Sequence, residues 1–274
     1  EGYTAVSTMS FAYEPEKGKP EPLRRGSLFL DFDSKSDPAI AVIMAREFLE
    51  RLVDRYEVDH RCLRYWMSGG KGCHIEIPAA IYDGEAGHPD LPLIQKNMLT
   101  LIGRYDFHNP KVCEALDFQL YCQGKGKLLR LPNIKRANGR YKVPVSAKEF
   151  FKLDYLDLEK LTFAPRLDFD PGTKDPVTSP RLTQIYDVAV SWRRQLTNGL
   201  NPISGIEALF NCDFIAYCFE NQATLKEPEW WEMISILSTF GDLGRKTIHL
   251  FSQDYPGYSF EETEKKINSQ KPNQ

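Results

Sequence analysis

At 274 residues, with 42 % apolar and 12 % aromatic side chains, the chain can fill one large core or two modest ones and reads as a soluble globular protein. Its longest unbroken apolar run, residues 39–45, falls far short of the ~20 residues a membrane helix needs, and the opening Glu1-Gly2-Tyr3 has none of the basic, apolar character of an export leader. A formal net charge of −3 does not by itself point to a polyanionic partner, so the placement of the charges has to decide.

A first residue other than Met is expected of a piece cut from a longer protein. The six cysteines, Cys62, Cys73, Cys113, Cys122, Cys212 and Cys218, form no Cys-x-x-Cys pair and no dense framework, which suits a reducing, cytoplasmic setting. Cys212, Cys218 and His249 are a candidate zinc set, set against a plain core reading because the two cysteines lie in an apolar helical stretch.

In chain order, residues 27–33 (Ser-Leu-Phe-Leu-Asp-Phe-Asp) read as a strand. Asp37-Pro38 then supplies an N-cap and a first-turn proline, and Val42, Ala45, Leu49, Leu52, Val53 and Tyr56 recur at helical spacing to about residue 56. Residues 63–67 and 73–77 read as two strands around Ser68-Gly69-Gly70-Lys71-Gly72, a hairpin with an unusually glycine-rich tip. A helix near 93–104, a short strand ending near Asp117 and a strand at 127–131 follow. Asn138-Gly139 then predicts a hairpin closed by a type I′ turn. Residues 166–180 carry four Asp or Gly and three Pro breaks without apolar period and read as a linker; beyond them the pattern is helical. The expected organisation is therefore a mixed α+β domain over 1–165, a linker over 166–180 and a small all-α domain over 181–274.

The period of two along a strand puts Asp31 and Asp33 on one face with Phe29, and Leu28, Leu30 and Phe32 on the other. Carboxylates two residues apart, with Cα atoms about 7 Å from each other, can reach divalent cations held ~3.5–4 Å apart for phosphoryl transfer. In the Ser68–His74 stretch, small residues let backbone approach an anion, Lys71 adds charge, and the next strand carries His74 with Glu76 on its face. This is no Walker A loop, since it lacks that spacing and leads into a strand. Between Asp117 and Glu149 there is no acidic residue, while Lys125, Lys127, Arg130, Lys135, Arg136, Arg140, Lys142 and Lys148 are all basic, with Tyr121 and Tyr141 among them. Such a run invites a nucleic-acid backbone, with the alternative of a solvated face.

Taken in order, Leu-Phe-Leu-Asp31-Phe-Asp33, Ser68-Gly-Gly-Lys71-Gly-Cys-His74-Ile, Asp117, and Leu-Leu-Arg130-Leu-Pro-Asn133 with Tyr141-Lys142-Val-Pro resemble the archaeo-eukaryotic primase superfamily, specifically the primase-polymerases of plasmids, phages and related mobile elements. The resemblance covers about residues 3–165. It implies a catalytic core with an RRM-like sheet, two Mg²⁺ or Mn²⁺ ions held by Asp31, Asp33 and Asp117, and His74 in the catalytic set. It further implies nucleotide contacts from Ser68, Gly70, Lys71, His74, Arg130, Asn133 and Lys142. Lys125, Lys127, Lys135, Arg136 and Arg140 fall to the single-stranded DNA template, with a fused or separate helicase as partner. Residues 134–136 (Ile-Lys-Arg) depart from the family's usual small polar residue, and Asp106 and Glu114 compete with Asp117 for the third acid. The helical remainder is similar to modules that recognise templates and initiate synthesis, with Arg193, Arg194, Lys246 and the 255–258 loop as candidate strand contacts; Trp230, Trp231, Phe210 and Phe214 read for the most part as core of a helical bundle. Rival expectations are a metal-dependent nuclease or replication initiator, against which stands the absence of a His-x-His pair, and a non-catalytic nucleic-acid-binding module.

Overall fold

The structure, a computed structural model, describes residues 5–7, 10–12, 23–107, 115–117, 128–197, 209 and 212–270. At 5–7, 11–12, 104–107 and 193–197 it describes the backbone alone. Lys125, Lys127 and Tyr121 lie outside the described residues, as do Glu114 and Phe210. The fold is α+β, and the chain divides into two compact units, residues 1–183 and 184–274.

The first unit is organised by a four-stranded antiparallel sheet. Its strands are β4 (Leu28–Asp33), β5 (Arg64–Met67), β6 (Gly72–Ile77) and β8 (Val143–Val145), in spatial order β4-β6-β5-β8. On β4 the period of two is realised: Leu28, Leu30 and Phe32 are fully buried while Asp33 is exposed. Cross-strand partners share a face, so the pairs Leu28–Ile77, Leu30–Ile75 and Phe32–Cys73 make the apolar side. Helix α1 (Pro38–Tyr56) covers that side with Ala41, Val42, Ala45, Phe48, Leu49 and Leu52. Its start is set by the Asp37 carboxylate, which accepts the Ala39 N–H at 2.9 Å, and its end by Glu57 in the left-handed region at φ 55°.

After β6 the chain forms α2 (Leu91–Phe107). It then returns to the sheet at 115–117, where Leu116 bridges Phe32 antiparallel and the Asp117 N–H donates to the Asp31 carbonyl at 2.9 Å. The succession β4-α1-β5-β6-α2 followed by this bridge, with the bridge beside β4, is a split β-α-β arrangement whose last strand is reduced to a single pairing. β8 extends the opposite edge. Two short ribbons lie apart from this sheet: β1 (Ala5–Ser7) with β7 (Leu128–Arg130), and β2 (Ser10–Ala12) with β3 (Leu23–Arg25).

The hairpin at Asn138-Gly139 forms, but not through a type I′ turn. Positive φ falls on Gly139 (85°) and not on Asn138, and the Gly139 N–H donates to Arg136 O at 3.0 Å while the Arg136 N–H donates to Arg140 O at 2.7 Å. That is a three-residue loop in which a type I turn is followed by a left-handed glycine.

Residues 166–180, expected as a linker, run along the first unit. The Lys174 N–H donates to Arg61 O, the Ser179 N–H to Ile81 O, and the Cys62 thiol to Asp175 O. Ser179 also donates its hydroxyl to Tyr56 O and accepts the Leu182 N–H, starting α5 (Pro180–Thr197). Two short helices, α3 (Ala147–Lys152) and α4 (Tyr155–Leu161), close the end of the sheet near β5. α3 begins in a capping box between Ser146 and Glu149.

The second unit is helical: α6 (Asp213–Glu220), α7 (Glu227–Ser238), α8 (Gly241–Phe251) and α9 (Phe260–Ser269) pack around Phe219, Trp230, Met233, Leu237 and Phe251. Of the aromatics expected in the core, Trp230 is buried, its indole N–H donating to Ser252 Oγ at 2.7 Å and its ring stacked on Tyr255 at 4.4 Å, whereas Phe214 is half-buried and Trp231 is exposed because it falls on the outer face of α7. Among the described residues no helix is long and apolar enough to cross a membrane.

Candidate active site

The polar face of the sheet is set by the same register that makes the apolar one. Asp31 stands opposite His74, which stands opposite Trp66, while Phe29 pairs with Glu76 and Asp33 with Gly72. The Leu116–Phe32 bridge places Asp117 beside Asp31 on the other side, so Asp117, Asp31, His74 and Trp66 form one row across four neighbouring backbones. Asp106, the competing third acid, falls in the last turn of α2.

Asp31 and His74 are nearly buried, at 9 % and 8 % exposure, and His74 Nε2 lies 3.3 Å from Asp31 Oδ1. The other ring nitrogen, Nδ1, is buried without a hydrogen-bond partner among the described residues. Asp33 is exposed as a residue, but partial burial of its carboxyl, and then the neighbouring Asp31 charge, push that carboxyl above its ordinary range, opposed by His74, Arg136 and Lys71. A carboxylate whose proton affinity is raised by a neighbouring carboxylate is one that a cation would relieve. Every acidic donor on this face is an oxygen, the preference of hard ions such as Mg²⁺ and Mn²⁺. Among the described residues no three His, Cys, Asp or Glu side chains converge as a ready-made metal cage. Mg²⁺ characteristically takes only one or two carboxylates and completes its shell with water and substrate phosphate, so Asp31 and Asp33, with Asp117 alongside, fit that mode.

Glu76 is satisfied apart from the acid row: it accepts the Ser27 hydroxyl at 2.7 Å and Arg64 Nη1 at 2.8 Å. Lys142 is 3 % exposed, packs its ammonium over the Trp66 ring at 4.9 Å, and makes no salt bridge among the described residues. Burial pulls its pKa down to about 8, with the charges of Asp31 and Glu76 opposing the fall.

The glycine-rich tip is built differently from a loop of outward amides. Ser68 Oγ is buried and accepts the N–H groups of both Gly70 (3.2 Å) and Gly72 (3.3 Å), so those two amides are spent inside the turn. Ser68 therefore shapes the loop, and Lys71 at its exposed apex is left to carry the charge. Gly72 is required where β6 meets β4, because a Cβ there would lie 1.8 Å from Phe32 O. Gly69, at φ 67°, would bring a Cβ to 2.4 Å of Tyr141 O.

The remaining expected residues scatter. Arg130 sits in β7 opposite Ala5, in a ribbon separate from the acid-bearing sheet. Asn133, at φ 62°, is engaged elsewhere: its amide accepts the Arg166 N–H at 2.7 Å and donates to Arg166 O at 3.4 Å. Arg140 pairs with Glu159 at 2.5 Å and lies over Phe163, whereas Lys135 lies over Tyr141. Arg136 reaches the glycine loop. In the helical unit His249 has both ring nitrogens engaged, Nδ1 with Tyr258 Oη at 3.1 Å and Nε2 with Glu264 at 2.8 Å, so neither nitrogen is presented to a zinc ion beside Cys218 or the exposed Cys212. Tyr255 stacks on Trp230 and the Tyr258 hydroxyl bonds His249, both tyrosines half-buried, and Lys246 bonds Ser191 Oγ. Arg193 and Arg194 lie on α5, where only the backbone is described.

No family model, curated protein or solved structure matches this chain.

Proposed function

We propose that the first unit is a template-dependent nucleotidyltransferase of primase-polymerase type, acting on single-stranded DNA with nucleoside triphosphates. The observation that carries this reading is the row Asp117–Asp31–His74 across neighbouring strands, with Asp33 one step along β4 and Lys71 at the adjoining loop. The β4-β6-β5 order with the Leu116 bridge at its edge supports the RRM-like form of sheet that such a core would have.

In this reading Asp31 and Asp33, with Asp117, hold Mg²⁺ or Mn²⁺. Cations bound there would supply Lewis-acid activation of an attacking 3′-hydroxyl and would neutralise charge on the departing pyrophosphate. His74, fixed beside Asp31 by the strand register, presents an imidazole edge to a phosphate oxygen or to the reacting hydroxyl. Lys71 offers an exposed ammonium to the triphosphate, and Lys142 lends positive charge from the wall of the same face. The second unit would read the template, and the setting would be the cytoplasmic replication of a plasmid, phage or other mobile element, with a helicase fused or recruited.

The test is extension and de novo synthesis on single-stranded DNA with labelled nucleotides and Mg²⁺ or Mn²⁺, beside an Asp31→Ala/Asp33→Ala control. Metal-dependent products missing from the control support the reading. Shortening of the labelled strand in place of growth would mark a nuclease, and template binding without either reaction would mark a non-catalytic module.

A further inference from the structure

Within the basic run Arg136 reads as a contact to a nucleic-acid backbone, but its place in the fold is different. It opens the three-residue loop that ends at Arg140, and this hairpin tip bends over the glycine loop between β5 and β6. Arg136 Nη1 donates to Ser68 O at 3.0 Å and Asn138 Nδ2 donates to Gly69 O at 2.9 Å, so two side chains hold successive carbonyls of that loop. The guanidinium lies so close that a Cβ on Gly70 would stand 3.0 Å from both Cζ and Nη2. It is also one of the charges that oppose the upward push on the Asp33 carboxyl.

A guanidinium has five N–H donors, and among the described residues Arg136 uses one. Its neighbours in the unit are spent otherwise: Arg140 on Glu159, Arg166 on Glu149 and Pro144 O, and Arg46 on the carbonyls of Phe150 and Leu153. Arg136 is thus anchored by a single backbone carbonyl, which fixes its orientation, and its guanidinium lies against the loop that carries Lys71 at its apex and whose Gly72 pairs with Asp33. A planar fork held in advance loses little rotamer freedom when it binds a phosphate through two oxygens.

We propose that Arg136 is a polyphosphate ligand which, with Lys71, takes the outer phosphates of a metal-bound triphosphate whose inner phosphate lies at Asp31 and Asp33. The proposal rests on the nucleotidyl-transfer reading of this face and moves Arg136 from the template to the nucleotide. The departure at 134–136 from the family's usual residues then supplies a cation to the nucleotide where Arg130, placed in another ribbon, does not stand on the acid-bearing sheet.

The test is titration of the full chain with tripolyphosphate and with a nucleoside triphosphate, each with Mn²⁺, and separately with labelled single-stranded DNA. The proteins are the parent, Arg136→Gln, Arg136→Lys and Asn138→Ala, with thermal melts to check folding. Arg136→Gln is expected to weaken both polyphosphate ligands by about 10- to 100-fold, as loss of a charge-assisted bidentate contact should, while DNA affinity stays within about twofold. Arg136→Lys should recover part of the loss, and Asn138→Ala, which releases the loop without removing charge, should lose several-fold less. Equal losses in Arg136→Gln and Asn138→Ala would reduce Arg136 to a brace, and a loss confined to DNA would return it to the strand; either overturns the proposal. Unchanged binding in Arg136→Gln beside a parent that binds well overturns it alone, whereas a parent that binds neither ligand overturns the nucleotidyl-transfer reading with it.

Discussion

His74 faces Asp31 directly across the β4–β6 ladder, with Nε2 3.3 Å from Oδ1, and the pair is held by backbone register rather than by a flexible loop. Neither side chain can move to the other face without shifting a whole strand, which would carry Leu30 and Ile75 out of the core. Replacing His74 by Ala should leave the fold in place, because the ring lies on the polar face, and should lower nucleotide incorporation by about a hundredfold or more. Single-turnover extension with saturating metal measures this, and unaltered rates would remove His74 from the chemistry.

A second expectation concerns the metal. Asp33 carries a carboxyl pushed above its usual range by partial burial and by Asp31, so in the absence of a cation this carboxylate costs stability at neutral pH. For a carboxyl whose folded pKa is raised, that cost is present at pH above the folded value and is relieved as pH falls through it. Asp33→Asn should therefore melt higher than the parent in chelator at pH 7, with the gap closing toward acid pH. Adding Mn²⁺ should raise the melting temperature of the parent and not of the variant. Differential scanning fluorimetry with and without metal reads both effects.

Lys142 titrates in the opposite sense. Its folded pKa of about 8 lies below the ordinary lysine value, so the buried ammonium costs stability at pH below 8. Between about pH 8 and 10.4 the unfolded chain holds a proton that the folded chain has released, and this contribution to stability rises with pH. Lys142→Met should be more stable than the parent near pH 7 by up to about 3 kcal/mol, with the advantage shrinking above pH 8. It should also bind triphosphate more weakly. Urea melts across pH 6–10 are the check, and a pH-independent difference would place the effect in packing alone.

The fourth expectation is structural. Gly72→Ala sets a methyl group 1.8 Å from Phe32 O inside the β4–β6 pairing and should destabilise the first unit by about 2–4 kcal/mol. Gly139→Ala meets nothing within 4 Å and pays only for its positive φ, about 1 kcal/mol. Equilibrium unfolding of both variants distinguishes a steric site from a conformational one.

How much of this was visible beforehand depends on whether the signal is local. The alternation along 28–33 told which face of β4 is buried and which holds Asp31 and Asp33, because strand geometry has a period of two whatever the strand pairs with. The cap at Asp37 and the apolar stripe located α1 to within a residue or two for the same reason. What could not be read were the partners. The three-residue β7 pairs with β1, some 120 positions away, and nothing in Leu-Leu-Arg specifies that. The amide of Asn133 looks like a ligand group until Arg166 comes back to claim it. Asn138-Gly139 carried the turn signal, but one extra loop residue changed the turn type and so swung Arg136 toward Ser68. A brace across the fold could have been suspected from the glycine pair at 69 and 70, since such openness commonly admits another chain segment.

The strap of residues 166–180 decides where the first unit can be cut. A fragment stopped at Pro165 would strip the covering from Cys62 and the 79–82 turn, and leave the carbonyls of Tyr56, Arg61 and Ile81 without their donors. It would also break the Arg166 bonds that close the ends of Asn133 and Glu149. A fragment carried through Thr183 retains all of these ties, so the minimal folding piece is longer than the stretch that bears the acid row and the glycine loop.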